Sequence, residues 1–218
     1  MVDLQLLEYL DGFITPERKT RFLQVLEERT KYPTIAIEDV YQMHNTSAVI
    51  RTCEVFGVQE AHVVENRYAK RLDKDISLGA EKWVDVFRYD DALACIDALR
   101  IKGYKIVATT PHHKAGLLED FKLDSKTALF FGTEKEGLSQ TVLDNADCFL
   151  KVPMVGFTES LNISVSAAII LQSLTYKLRQ TDLPWPLTTE EKMEKRLDWT
   201  KKSIRSLKDI MARYDGDG

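Results

Sequence analysis

Ala128-Leu129-Phe130-Phe131-Gly132-Thr133-Glu134-Lys135-Glu136-Gly137-Leu138 is an apolar run that stops at a glycine, crosses three charges and reaches a second glycine before a helical pattern begins. A short apolar run bounded by such punctuation reads as a buried strand. The two glycines permit a tight turn and a close approach of backbone to a flat ligand. Two other stretches share this grammar. His44-Asn45-Thr46-Ser47-Ala48-Val49-Ile50-Arg51 follows the β-branched run Thr34–Val40. Val152-Pro153-Met154 ends a run begun at Phe149, and Gly156 and Ser160-Leu161-Asn162-Ile163-Ser164-Val165-Ser166 follow it. In each, Gly, Asn, Ser or a charge stands where a strand gives way to a helix, the boundary at which open α/β sheets build ligand crevices.

Outward from these three points the pattern repeats. Strands are predicted over Thr34–Val40, Ala61–Glu65, Trp83–Phe87, Tyr104–Thr109, Ala128–Gly132 and Phe149–Met154. Between and after them lie helical patterns, one capped by Asn45 and running to Phe56, then Asp90–Lys102, Leu138–Asp144 and Ser160–Arg179. Strands alternating with helices specify an α/β fold, a mostly parallel sheet with helices on both faces. Both ends carry helical extensions. Asp3–Phe13 and Pro16–Arg29 come first, with Thr15 placed to cap and Pro16 at the first helical position. After the break at Pro184-Trp185-Pro186, Thr189 is placed to cap a last helix over Glu190–Arg213. The expected organisation is residues 1–32 as an N-terminal helical extension, 33–180 as the central domain and 181–218 as a basic C-terminal helical extension.

With 218 residues, 44% hydrophobic and 29% charged, the chain has an ordinary globular composition. No apolar run approaches bilayer length, and Met1–Leu10 lacks a basic n-region, so no leader and a cytoplasmic location are expected. Cys53, Cys95 and Cys148 are widely spaced without a CxxC pair, and the adjacent His112-His113 need not converge, so no metal site is expected. The net charge of −4 is unevenly spread. From Lys192 to Arg213, eight basic residues face three acidic ones, a surplus of five, and Arg18, Lys19, Arg21, Arg29 and Lys31 form a second, looser group. Alone, these are solvated helix faces; beside a nucleic-acid site they become phosphate contacts.

Arg51 lies two turns beyond Asn45, on a helix whose other residues look interior. A guanidinium there is costly unless it meets an anion or acceptors. In isolation it reads as half of a structural ion pair with Glu54 or Glu134. Glu134 reads either as an orienting carboxylate or as a helix-start acid. Ser160 reads as the cap of the long helix, with Asn162 beside it and Leu161 placed to pack on a flat ring. His44 reads equally as an RNA contact or as packing, and Lys135 as an exposed charge. No Gly-x-Gly-x-x-Gly follows a predicted strand, which argues against a Rossmann nucleotide site.

Taken together, in this order and spacing over roughly residues 34–175, the three segments resemble the motifs of the SpoU branch of the SPOUT RNA methyltransferases. The first is similar to that branch's catalytic segment, the other two to its cofactor-binding segments. The resemblance implies a SPOUT-type fold with a C-terminal trefoil knot. It implies S-adenosyl-L-methionine as cofactor, held by Thr109, Gly132, Val152 and Leu161, and methyl transfer to a ribose 2′-hydroxyl by a catalytic set of Arg51, Asn45, Glu134, Ser160 and Asn162. It gives Arg51 a share in removing the hydroxyl proton, although a guanidinium with a pKa above ~12 is a poor base and an easier stabiliser of an alkoxide.

Within the branch, the TrmH-type tRNA guanosine-2′-O-methyltransferases, which act on a D-loop guanosine, share the two helical extensions. That likeness implies tRNA as partner, Arg18, Arg21, Arg29 and His44 as RNA contacts, and a homodimer paired through the long apolar helix. An rRNA 2′-O-methyltransferase of the same family and a catalytically inactive RNA-binding or assembly factor are the alternatives.

Overall fold

The computed structural model describes residues 2–38, 43–65, 79–111, 115–134 and 136–216. Val40, the His112-His113 pair, Lys135 and the side chain of His44 lie outside the described residues. In chain order the elements are α1 (Leu4–Asp11), α2 (Pro16–Glu27), β1 (Pro33–Glu38), α3 (Met43–Phe56), β2 (Glu60–Val64) and β3 (Asp85–Tyr89). Then come α4 (Ala92–Ile101), β4 (Lys105–Thr109), β5 (Gly116–Leu117), β6 (Thr127–Phe131), α5 (Gln140–Asn145), β7 (Cys148–Lys151), α6 (Ile163–Leu178), α7 (Thr189–Ser203) and α8 (Leu207–Gly216). They fall into two compact units, Thr30–Trp185 and the two chain ends, Met1–Arg29 with Pro186–Gly218.

The first unit is built on seven strands in the order β3-β2-β1-β6-β4-β7-β5, every pair parallel. Successive side chains of a strand point to opposite faces, and β1 shows the consequence. Ile35 and Ile37 pack in one core with Val49, Ile50 and Cys53 of α3 and Ala167, Ile170 and Leu171 of α6. Ala36 packs in the other with Cys95, Ile96 and Leu99 of α4 and Val142 of α5. Helices therefore cover both faces, and β1, β2 and β6 are buried along their whole length. After β4 the chain inserts β6 between β1 and β4, then places β7 on the far side of β4. The Thr30 hydroxyl donates to the Trp185 carbonyl at 2.7 Å, joining the first and last residues of this unit.

In the second unit the helices of the two chain ends come together: α1 and α2 pack with α7 and α8. Leu6 and Leu10 of α1 meet Ile210 of α8, with Leu197, Ile204 and Leu207 against them. Phe22 stands edge-on to the buried Trp199 at 5.6 Å. Asp11, the last residue of α1, is a carboxylate at a helix C-terminus, which the helix dipole disfavours. Arg196 of α7 and Lys19 of α2, the latter at 2.7 Å, offset that cost.

Several local expectations are corrected. Thr188 rather than Thr189 caps α7, in a full capping box with Glu191; only Thr188 has a Glu three residues on, as that box requires. The last helix is two, because Ile204 adopts an extended backbone and Ser206 restarts the chain by accepting from Asp209 and Ile210. Asn162, not Ser160, caps α6. α3 begins at Met43, so Asn45 lies in its first turn and does not cap it. β5 is too short to leave a pattern in sequence.

Candidate active site

The C-terminal ends of β4, β6 and β7 open on one cavity of about 360 Å³, within the range of small-molecule sites. Thr109 at the end of β4 is fixed by donating its hydroxyl to the Phe130 carbonyl at 2.7 Å. From β6 the chain enters a loop that closes on itself: Thr133 and Gly137 exchange two backbone hydrogen bonds, both 3.0 Å. The geometry explains both glycines. A Cβ on Gly132 would lie 2.2 Å from the Gly137 carbonyl carbon, and Gly137 has φ +72, a left-handed conformation costly for other residues. Closure of its own loop is thus enough to demand glycine at position 132.

Thr109, Gly132, Val152 and Leu161, the four positions read as cofactor contacts, all line this cavity, as do Glu134 and Ser160. Ser160, which does not cap α6, is part of the lining. Beside the cavity a polar cluster assembles from three distant segments. Glu134 Oε1 accepts from Asn45 Nδ2 at 3.3 Å and from Asn162 Nδ2 at 2.5 Å. Asn162 Nδ2 also reaches Asn45 Oδ1 at 3.3 Å. Two amide donors on one carboxylate oxygen fix its direction.

Ser164, part of the third segment but given no role from sequence, sets the amide of Asn162. Its backbone N–H and its hydroxyl both donate to Asn162 Oδ1, at 2.9 and 2.6 Å, so Nδ2 is the group left to face Glu134. The Asn-x-Ser spacing at a helix start was the available signal.

Arg51 is not part of this cluster. It is exposed on α3, on the same side as the exposed Val55 four residues on, while Ile50 and Cys53 occupy the buried side. The expected interior setting is therefore corrected. Six residues of helix carry Arg51 about 9 Å along and roughly 240° around from Asn45. In the helical unit, Arg18 and Arg21 are exposed on α2. Arg29 is 1% exposed with its guanidinium 5.3 Å from the Trp199 ring centre. A guanidinium enclosed in this way packs the unit and is not presented to RNA, which removes Arg29 from the expected contacts. Trp199 packs in the same place.

Among the described residues no three His, Cys, Asp or Glu converge as a metal site. Burial pushes the Cys95 thiol up to about 12 and raises that of Cys148, which makes both poor nucleophiles.

Comparison with known proteins places these features in a family. The model of the SpoU rRNA methylase family matches residues 33–172. A tRNA (guanosine(18)-2′-O)-methyltransferase of Borreliella burgdorferi is 42% identical, over 90% of this chain and 90% of that protein. An enzyme of the same name from Thermus thermophilus is 34% identical, over 86% of this chain and 98% of its own. The A. aeolicus TrmH/SpoU tRNA modifying enzyme superposes with a TM-score of 0.77 at 28% identity, covering 86% of this chain and 97% of that one. The methyltransferase AviRb of Streptomyces viridochromogenes, solved with AdoMet, shares the fold with a TM-score of 0.63 at 21% identity, covering 73% of this chain and 65% of that one. A trefoil knot stays an implication of that shared fold. With the family model spanning the whole sheet and its site, and relatives this similar over most of the chain, the protein belongs to the SpoU methylase family.

Proposed function

We infer that this chain transfers a methyl group from S-adenosyl-L-methionine to a ribose 2′-hydroxyl of RNA, and that its target is the D-loop guanosine of tRNA, the residue named for its relatives. The observation that carries the reading is the Asn45–Glu134–Asn162 cluster beside the cavity. The cavity suits the cofactor: its volume is that of a small-ligand site, Leu161 and Val152 offer apolar surface to a base, and the carboxylates of Glu134 and Glu159 oppose a cationic ligand. When bound, S-adenosylmethionine supplies an electrophilic methyl group.

The residues of the chain then have separable tasks. Thr109, Gly132, Val152 and Leu161 hold the cofactor. Glu134, pinned by two amides, and Ser160 orient groups at the cavity mouth. Arg51 holds a phosphate or the developing 2′-alkoxide, a role open to a guanidinium that stays charged. Because Arg51 faces away from its own chain's cluster, it serves the site of a second copy. The surface needed for pairing is at hand: Val165, Ile169 and Tyr176 make an exposed stripe on α6, and Val55 is exposed on α3. Such apolar exposure on otherwise buried helices suits a homodimer. Sedimentation at micromolar concentration is expected to give twice the 25.0 kDa chain mass; a 25.0 kDa species contradicts the dimer.

RNA is gripped by the helical unit. Lys192, Arg196 and Lys202 are engaged with Glu27, Asp11 and Asp198, which leaves Arg18, Arg21, Arg205, Lys208 and Arg213 as the exposed cations best suited to phosphates. A tRNA substrate implies work in the cytoplasm. Transfer of tritiated methyl groups to tRNA tests the whole reading. One methyl per tRNA is expected, and none when the target guanosine is replaced by 2′-deoxyguanosine. Labelling of bulk rRNA in place of tRNA moves the target to the other RNA, and no labelling of either RNA leaves a binding factor.

A further inference from the structure

Glu38 ends β1 and is 5% exposed. A carboxylate so enclosed is costly unless a hydrogen bond compensates it. Its Oε2 accepts the backbone N–H of Ser139 at 2.8 Å, a contact spanning 101 residues of sequence. Ser139 follows directly on Gly137 and Leu138, both of which line the cavity. The last β1/β6 partners are Ile37 and Phe131, so Glu38 stands one step beyond the ladder, level with Gly132 where the Glu134 loop leaves β6. Besides the bonds within the loop, the Thr133–Gly137 exchange and the Glu136 N–H to the Thr133 hydroxyl, the Glu38 carboxylate ties down its exit.

We propose that Glu38 is a positioning residue for methyl transfer: by accepting the Ser139 N–H it holds the Gly132–Ser139 loop in the conformation that shapes the cofactor cavity and presents Glu134 to Asn45 and Asn162. The proposal rests on the methyltransferase reading above. Its content is geometric. An acceptor must stand at this reach, and the negative charge is incidental to it.

Three substitutions in the full chain separate the alternatives. Glu38→Gln keeps the acceptor at the same reach. Glu38→Asp keeps the charge but withdraws the acceptor by one methylene. Glu38→Met keeps the volume alone and strands the Ser139 N–H, a loss that lowers stability. S-adenosylmethionine affinity by calorimetry, single-turnover methylation of tRNA at saturating cofactor and melting temperature are measured for each. Misplacement of a site by about an ångström costs one to two orders of magnitude in rate. We therefore expect Glu38→Asp and Glu38→Met to lose on the order of tenfold or more in both affinity and rate. Glu38→Gln stays within about threefold of the parent, a factor too small to count as lost positioning.

Parent-like affinity and rate in Glu38→Asp and Glu38→Met overturn the proposal, as does impairment of Glu38→Gln with Glu38→Asp intact, which assigns the effect to charge. Should Glu38→Met fail to fold, the Gln and Asp pair still decides. A parent protein that binds no S-adenosylmethionine instead fails the methyltransferase reading, before any variant is compared.

Discussion

The two units of this molecule are held together by different means. In the sheet unit, the site arises where local chain features end strands: a self-closing glycine loop, a helix cap, a strand-terminal threonine. In the helical unit, cohesion comes from partners at opposite ends of the chain, Asp11 with Arg196 across 185 residues and Glu27 with Lys192 across 165. Relative to the sheet unit, the helical one buries fewer apolar side chains and relies more on charge. The difference suggests a division of labour, with cofactor and chemistry in the sheet unit and RNA affinity in the helical one, so that damage to one leaves the other's property intact.

The largest effect is expected from the chemistry. Arg51→Ala and Asn162→Ala each lower single-turnover methyl transfer by about a hundredfold or more, the typical cost of removing one preorganised electrostatic partner, while S-adenosylmethionine affinity in Arg51→Ala stays within a few fold. Full turnover in Arg51→Ala would remove that residue from the reaction.

Next in size is the clasp of the helical unit. The Asp11 side chain is 9% exposed and that of Arg196 20%, so Asp11→Ala strands a largely enclosed guanidinium and costs about 3 kcal/mol. Calorimetry is expected to show the loss in the helical unit's transition, with cofactor affinity intact. A fall in cofactor affinity of the same variant would show that the division is not real.

A pH-dependent effect, smallest near neutrality, belongs to the sheet unit alone. His62 is fully buried between Phe87 and Tyr89, its Nδ1 3.1 Å from the Tyr89 hydroxyl. Burial, with Lys102 adding to it, pushes its pKa down to about 3 from 6.5. Glu60 lies 3.9 Å from Nε2 and does not reverse this, because Lys31 and Lys102 at 3.4 and 3.3 Å already engage it. Between pH 6.5 and 3 the unfolded chain binds a proton that the folded chain refuses, so stability falls with acid by up to about 1.4 kcal/mol per pH unit. Above pH 6.5 the contribution is complete. Denaturant melts of His62→Gln are expected to lose much of this slope between about pH 6.5 and 5, above the carboxylate range. An unchanged slope would place the acid sensitivity elsewhere.

The same contrast decided what could be read from sequence. Most strands of the sheet unit longer than two residues announce themselves by an apolar run. The exception is β3 at Asp85–Tyr89, with two charges in five residues, two positions beyond the expected Trp83–Phe87. Gly132, Gly137 and Asn162 mark the turns that build the site, because those turns are local in sequence. The convergence of Asn45, Glu134 and Asn162 was legible only through resemblance, since 89 and 117 residues separate the first from the other two. Arg29 was misread because its burial depends on Trp199, at the other end of the chain. The break before α8 has no Gly or Pro to announce it, only Ser203, whose hydroxyl bonds back to the Trp199 carbonyl at 2.8 Å and competes with the helix. The exposed side of Arg51 was misread, although helical periodicity counted from Ile50 and Cys53 carried the signal.

The central claim, separate seats for chemistry and RNA affinity, is tested most directly by charge reversal on α2. Arg18→Glu with Arg21→Glu touches two exposed side chains and no core, and S-adenosylmethionine and tRNA affinities are measured on the same preparation across a salt series. The account predicts unchanged cofactor affinity, tRNA affinity reduced at low salt, and a shallower salt slope as phosphate contacts are lost. Unchanged tRNA affinity in the folded double variant, or a matching loss of cofactor affinity, would contradict it.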